Sequence, residues 1–364
     1  MNQETIDRLK LILIPGVGHL LARHLVMQAG GASELFKLKL PELLTIPGLG
    51  EVVSRQILKH SDYETRALDE LKFIKQHNVE VIFFDDLKFP YRLNECPDPP
   101  FVLFYKGTDC LNSNRMISIV GTRKATQYGK NFIHQICEDL RQYNVTVVSG
   151  LAYGVDIHAH RECINYQIPT IGVVAHGHDR IYPNVHKNTA KSMLSSGGIL
   201  SEFFCHTNPD RENFPKRNRI IAGMTDATIL VEAAEKGGAL ITGNLAFDYG
   251  RDVMALPGRR YDEYSKGCNN LIKQNKAHMI TEPDDIPKLL GWGKKTNVIQ
   301  TNIFDQMNDE QRKVMEVIRA GSSFVEDLCR SIQKSFSETK VLLFEMELNG
   351  WIKQLPGNRV ELIQ

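Results

Sequence analysis

The chain has 364 residues, 42% hydrophobic and 24% charged, enough for two or three domains with a sizeable core and close to the averages of globular proteins. Wholesale disorder and a single small module are both excluded. Forty-four Lys and Arg stand against forty-three Asp and Glu, a formal net charge of +1, so any nucleic-acid binding has to come from a local patch rather than a global field. No apolar run reaches the eighteen residues of a membrane span, and the opening MNQETIDRLK is too polar for a signal peptide; a cytoplasmic protein without membrane contact is expected. Seven cysteines without a CxxC pair argue against a disulfide framework and a zinc knuckle, and read as buried reduced thiols.

In chain order, the first signal is a repeat. Ile14-Pro15-Gly16-Val17-Gly18 returns as Ile46-Pro47-Gly48-Leu49-Gly50, each time between stretches of helical apolar period. Pro and Gly turn the chain and the second Gly opens a helix, leaving N–H groups that could meet a phosphate. Residues 1–70 therefore read as a helix-hairpin-helix or SAM-like helical module, either a DNA contact or a small packing domain. Glu51 at the start of the second helix would repel a phosphate.

Residues 71–295 alternate strands with helices. Strands are expected over 79–84, 101–105, 116–120, 145–149, 169–175, 198–203, 227–231 and 252–256, and helices over 127–143, 155–166, 185–196, 214–224 and 240–249. Continuous apolar strands alternating with helices imply an α/β, Rossmann-like, doubly wound, mostly parallel sheet with ligands at the strand C-termini. A polar linker is expected over 296–306. Residues 307–364 then give three short helices and a hairpin turning at Pro356-Gly357-Asn358, which resembles a winged helix. Its third helix carries more acids than bases, which favours protein contact or packing over duplex reading.

Four loops could carry chemistry. Gly121-Thr122-Arg123 follows a strand, where Gly allows close backbone approach and Arg grips phosphate. Ser149-Gly150 begins a Gly-rich strand-to-helix turn running to Gly154. Arg211 precedes Phe214-Pro215-Lys216-Arg217-Asn218-Arg219, whose cations open a helix against its macrodipole, a conflict an anionic ligand would relieve. Phe214, expected exposed, adds a base-stacking surface. The fourth loop, Gly267-Cys268-Asn269-Asn270-Leu271-Ile272, lies beyond the last strand. Each loop also has a plainer reading as turn geometry or solvated charge.

Enzyme readings fare less well. The turn at Gly150 is not GxGxxG, the region about twenty residues on offers no acid, and no GxxxxGK[ST] is present, so neither a dinucleotide site nor a P-loop is supported. Asp156 and His160 share a helix face while His158 points away, which favours a helix-capping Asp and structural histidines over a metal site. Ser149 as a nucleophile lacks an oxyanion donor.

At these blocks the chain becomes recognisable. SIVGTRKATQYG, VSGLAYGVDIHAH, TIGVVAHGHDRIYP, GGILSEF, NFPKRNRIIAGM, ILVEAAEKGGALITGNLAFDYGRDVMALPG and GCNNLIKQNKAH closely resemble, in order, the DNA-processing protein A (Smf) family. The resemblance implies a non-catalytic, cytosolic, cofactor-free protein that binds single-stranded DNA without sequence preference during natural transformation. It further implies protection of the incoming strand, loading of the RecA recombinase, and a homodimer through the Rossmann domain. Carried over by motif, Arg123, Arg211, Phe214, Lys216, Arg217, Asn218, Arg219, Asn269, Leu271 and Ile272 would line the DNA groove. Gly121, Thr122, Ser149 and Gly150 would supply backbone or hydroxyl contacts to phosphate.

Two departures stand out. Gly237-Gly238-Ala239-Leu240-Ile241-Thr242 replaces the family's frequent SGSLIT, and Ala175-His176-Gly177-His178 places two imidazoles where a Leu-Gly pair is common; protonated imidazoles there would strengthen phosphate binding at low pH, although chance substitution is the simpler account. The alternative class is a nucleotide phosphoribohydrolase, but the Gly237-Gly238 pair is not followed by the Glu that sugar chemistry needs.

Overall fold

In the computed structural model, which describes residues 3–293, 308–319, 324–349, 351–355 and 357–362, the repeated segments turn the chain twice in the same way. Gly16 and Gly48 take φ of 86° and 81°, in the left-handed region that glycine enters without a Cβ penalty. Gly18 and Gly50 then stand extended just ahead of helices. The helical module runs α1 (Gln3–Leu13), α2 (His19–Ala29), α3 (Ala32–Leu35), α4 (Leu40–Leu43), α5 (Glu51–Ile57) and α6 (Glu64–His77).

The next segment carries β1 (Glu80–Phe83), α7 (Tyr91–Asn94), β2 (Val102–Gly107), β3 (Met116–Val120), α8 (Gln127–Leu140), β4 (Thr146–Ser149), α9 (Val155–Asn165), β5 (Thr170–Val173), α10 (Lys187–Met193) and β6 (Gly198–Ser201). It continues through α11 (Asn213–Gly223), β7 (Ala227–Leu230), α12 (Gly238–Asp248), β8 (Asp252–Ala255), α13 (Lys266–Lys273), β9 (His278–Met279) and α14 (Asp285–Leu289). All eight expected strands form. The two-residue edge strand β9 was not anticipated, being too short to leave a periodic signal.

The strands form one sheet in the order β1-β2-β6-β5-β4-β3-β7-β8-β9. It is parallel from β6 through β9, with β1 and β2 added antiparallel at one edge. The central strands are buried along their length, as a sheet covered on both faces requires. Phe132, Ile136, Val155 and Ala159 of α8 and α9 pack with Ile117 and Ile119 on one face. Ile220, Ile221 and Ala246 of α11 and α12 pack with Val148, Val173 and Leu230 on the other.

From β3 the chain winds one way through β4 and β5 to β6, crosses by α11, and enters β7 on the opposite side of β3. The order therefore reverses between β3 and β7, and a crevice opens beyond their C-terminal ends.

The expected boundary near residue 70 does not divide the packing. Leu9, Leu25, Leu35 and Ile57 belong to the same buried cluster as Phe101, Phe104 and Leu200, and the Arg8 guanidinium meets both carboxylate oxygens of Asp85 at 2.5 and 2.7 Å. Met1–Lys294 is one compact unit and Lys295–Gln364 a second.

The second unit contains α15 (Asp309–Arg319), α16 (Val325–Ile332), α17 (Phe336–Leu348) and an antiparallel pair, β10 (Ile352–Leu355) with β11 (Arg359–Leu362). Its own core gathers Val314, Leu328, Leu343, Met346 and Ile352. The helix, helix, helix, hairpin order is that expected; the linker 296–306 lies outside the described residues. Among the described residues no helix is long and apolar enough to cross a membrane. The seven cysteines are free, six buried and Cys329 half-buried.

Candidate functional site

The loops after β3 and β7, the turn from β4 into α9, and the starts of α11 and α12 converge on a hollow of about 270 Å³ at the switch point. Its wall includes Gly121, Thr122, Arg123, Phe214, Asn218, Lys236, Gly237, Gly238, Ala239 and Leu240, with Asp156 and Arg217 deeper. A smaller hollow of about 40 Å³ adjoins it over the ends of β4 and β5, lined by Tyr153, Val174, Ala175, His176 and Tyr182. Arg123, Phe214 and Arg217 border both.

Backbone geometry fixes the Gly121-Thr122-Arg123 loop. The Thr122 N–H donates to the Glu232 carbonyl at 2.7 Å, tying the loop to the end of β7, and the Thr122 carbonyl accepts from Val155 N–H at 3.1 Å. Gly154 has φ of 77°, and a Cβ there would stand 2.2 Å from the Thr122 carbonyl oxygen. No other residue satisfies both constraints. Arg123 is exposed, and its guanidinium carbon lies 5.4 Å from the centroid of the Phe214 ring, a cation over an aromatic face.

Two helix starts in the crevice behave differently. At α8 the Glu232 carboxylate accepts from Thr126 N–H at 2.8 Å and Thr126 Oγ–H at 2.6 Å. The protein's own anion occupies that terminus. At α12 the N-cap, Gly237, makes no side-chain cap. The first-turn N–H groups of Gly238, Ala239 and Leu240 have no intrahelical acceptor by helix geometry, and these residues line the hollow beside exposed Lys236. Positive partial charge thus faces the cavity from the backbone and two side chains.

Beneath lies a buried charge pair. Arg217 is 4% exposed, and its guanidinium donates to the carbonyls of Gly150 and Val173 at the ends of β4 and β5. Burial lowers it to about 10, against an opposing pull from Asp156. Asp156, in the first turn of α9, is raised above the usual carboxylate range by burial, while Arg217 holds it down. Its carboxylate accepts from Ala152 N–H at 3.4 Å in the turn ahead of the helix; the N-cap is Gly154, without a side-chain cap, so Asp156 braces the turn and does not cap α9 as expected. His160 is fully buried on Thr170 and pushed down to about 3 by burial and by Arg217. Among the described residues no cluster suits a metal ion.

Several of the expected contact residues are engaged within the protein, even where they line a hollow. Ser149 is fully buried and its hydroxyl donates to the Ile119 carbonyl at 2.6 Å, so it faces neither a phosphate nor a substrate carbonyl. Gly150 is bare for an internal reason: a Cβ would stand 2.3 Å from an Arg217 nitrogen and 2.6 Å from an Asp156 oxygen. The helix-start conflict at Arg217 is relieved by carbonyls and Asp156, with no external anion required. Asn218 is buried and donates to the Gly238 carbonyl at 3.3 Å, bracing α11 against the start of α12. Arg219 pairs with buried Glu202 and the Asp98 carbonyl, away from both hollows.

The fourth loop packs inward. Asn269 bonds the Gly258 backbone through both ends of its amide, at 3.2 and 3.0 Å, Leu271 is buried, and Ile272 packs on the core. None lines either hollow. Arg211 and Lys216 are exposed around the start of α11, outside both linings. Phe214 is half-buried rather than exposed. His176 and His178 are engaged with backbone groups. His176 has its ring nitrogens at the Gly177 carbonyl and the Tyr182 N–H, and His178 bonds the Phe104 carbonyl. Burial lowers both, His178 to about 4.

Sequence reasoning missed Lys236, Tyr153 and Tyr182. Lys236 stands directly before the Gly237-Gly238 pair, and Tyr153 and Tyr182 stand singly among glycines and histidines, so none of the three carries a motif signal of its own.

Compared with known proteins, residues 80–291 match the family model described as DNA recombination-mediator protein A. Protein Smf of Synechocystis is 29% identical over 99% of both chains, and protein Smf of Escherichia coli is 32% identical over 85% of this chain and 84% of its own length. The X-ray structure of DNA processing protein A from Streptococcus pneumoniae superposes with a TM-score of 0.67 at 29% identity, covering 80% of this chain and 99% of that one. A DNA processing protein A from Helicobacter pylori, whose structure concerns its single-stranded DNA binding mode, gives a TM-score of 0.53 at 27% identity, covering 58% of this chain and 95% of that one.

Proposed function

Given that the chain belongs to the DNA recombination-mediator protein A family and so acts in DNA processing and recombination, we propose that it binds single-stranded DNA along the C-terminal edge of its sheet and loads RecA onto it. The observation that carries the reading is the switch-point hollow. Open N–H groups at α12, Arg123 and Lys236 offer an anion three independent sources of positive charge, with Phe214 beside them for a base. Asp156 is the sole carboxylate among the lining residues, and buried Arg217 opposes it. Backbone amides, cations and aromatic faces recognise phosphate and any base, so sequence preference should be absent.

Protection of incoming DNA in the cytoplasm during natural transformation, a homodimer through the sheet domain, and a winged-helix tail and helix-hairpin-helix front as accessory modules complete the reading. The test is a low-salt titration with labelled single- and double-stranded oligonucleotides, for the intact chain and for Arg123→Ala. The intact chain should prefer single strands, and the variant should bind more weakly with a salt slope smaller by about 0.7 per lost phosphate contact. Equal affinity of both proteins would sink the groove. RecA loading is tested separately, by the lag of RecA filament assembly on single-stranded DNA with and without the protein.

A further inference from the structure

The smaller hollow brings together three aromatic rings that the hydrophobic core does not use. Tyr153 is 47% exposed and Tyr182 46% exposed, although each is held in place from below. The Tyr153 ring stands edge-on to buried His186, centroids 5.0 Å apart at 69°, and His186 is fixed to the Leu151 carbonyl at 2.8 Å. The Tyr182 N–H donates to Nε2 of buried His176 at 3.2 Å, and the Tyr182 ring lies 6.3 Å from that of Phe214. Large rings left half in water and bordering one hollow, Tyr153 with its ring against buried His186 and Tyr182 with its backbone N–H on buried His176, are arranged for a flat apolar ligand.

Arg123 and Phe214 form the wall between this hollow and the phosphate-facing one. A ligand with a phosphate on one side and a flat ring on the other matches the pair, which is the chemistry of a nucleotide unit. At about 40 Å³ the hollow is small beside the switch-point hollow of about 270 Å³, and the exposed ring faces around it offer a base the larger surface.

We propose that Tyr153 and Tyr182 form, with Phe214, a stacking platform for a nucleobase of the bound strand, and that His176 and His186 are positioning residues for it. This rests on the single-stranded DNA reading above and adds the place where a base is held. Burial lowers His176 below the ordinary imidazole value, which favours its neutral form.

The experiment uses the full chain with Tyr153→Leu, Tyr182→Leu, both together, and the two Tyr→Phe changes. Each is titrated with oligothymidylate and with an abasic oligomer of equal length. The double Leu variant should lose roughly 5- to 100-fold in affinity for oligothymidylate and keep its affinity for the abasic strand, while the Phe variants bind as the unsubstituted chain does. In parallel, photo-cross-linking of an iodouracil-substituted strand to the unsubstituted chain should label the peptide of Tyr153 or Tyr182, a readout that needs no variant to fold. Unchanged oligothymidylate binding by the Leu variants, equal loss on both oligomers, loss in the Phe variants, or no adduct on either peptide would each overturn the platform. If the unsubstituted chain binds oligothymidylate and Arg123→Ala weakens it while the tyrosine changes do not, the platform alone falls. If the unsubstituted chain fails to bind at low salt, the groove reading falls with it.

Discussion

Replacing Arg217 by Met removes the guanidinium from carbonyls at the ends of two strands and from the field of Asp156, while keeping a side chain of similar reach. Breaking a buried charge pair from one side costs about 3–5 kcal/mol, because the remaining charge stays buried without compensation. For a unit of this size, that lowers the melting temperature by on the order of 10 °C. The deficit has a pH signature. Asp156 already has a folded-state pKa raised by burial, so it opposes folding once pH rises above its unfolded value, and most strongly above its folded one. Without Arg217 the folded value rises further, so the deficit should be largest at neutral pH and shrink toward pH 5 as Asp156 takes up a proton. Thermal melts of Arg217→Met at pH 7 and pH 5 measure it, and Asp156→Asn added to that variant should recover part of the loss at pH 7. A deficit independent of pH, with no recovery in the double variant, would refute the buried-pair account and restore Arg217 to the groove as a ligand-facing cation.

Lys236→Ala should weaken single-strand binding and flatten its salt dependence more than Lys216→Ala, since only Lys236 lines the hollow; fluorescence anisotropy over a salt series separates the two. Glu232→Gln leaves the Thr126 N–H and hydroxyl a weaker acceptor at the start of α8, so a stability loss of about 0.5–2 kcal/mol is expected in urea melts. His160 and His178, with folded values of about 3 and about 4, lie below their unfolded value. They therefore support the fold above pH 6.5 and withdraw that support as pH falls through 6.5 toward 4. Stability should decline over that window, and His178→Asn should make the decline shallower in melts at pH 7 and pH 4.5.

Much of the architecture was legible locally. The eight long strands and the helices between them carry their signal in runs of apolar residues, and the turns at Gly16 and Gly48 in a repeated five-residue phrase, because period and turn chemistry are properties of adjacent residues. The sequence places Gly121, Thr122, Arg123 and Phe214 at a strand end and a helix start, where a doubly wound sheet exposes its loops, and all four line the switch-point hollow.

Residue type alone could not assign the remaining positions. Arg217 and Arg219 are near neighbours on one helix, yet one braces two strand ends from below and the other pairs with Glu202. Asn269, Leu271 and Ile272 look like a loop motif and serve as packing. Burial depends on which distant elements close over a residue, and that information is spread over more than a hundred positions.

The amino-acid sequence, then, was sufficient for a doubly wound, mostly parallel sheet with loops at its strand C-termini, since alternating apolar strands and helices are a local pattern. Only the tertiary structure decided which cations face outward, which glycine makes room for a guanidinium, and that two tyrosines from separate loops share one hollow, because each depends on groups far apart in the chain meeting in space.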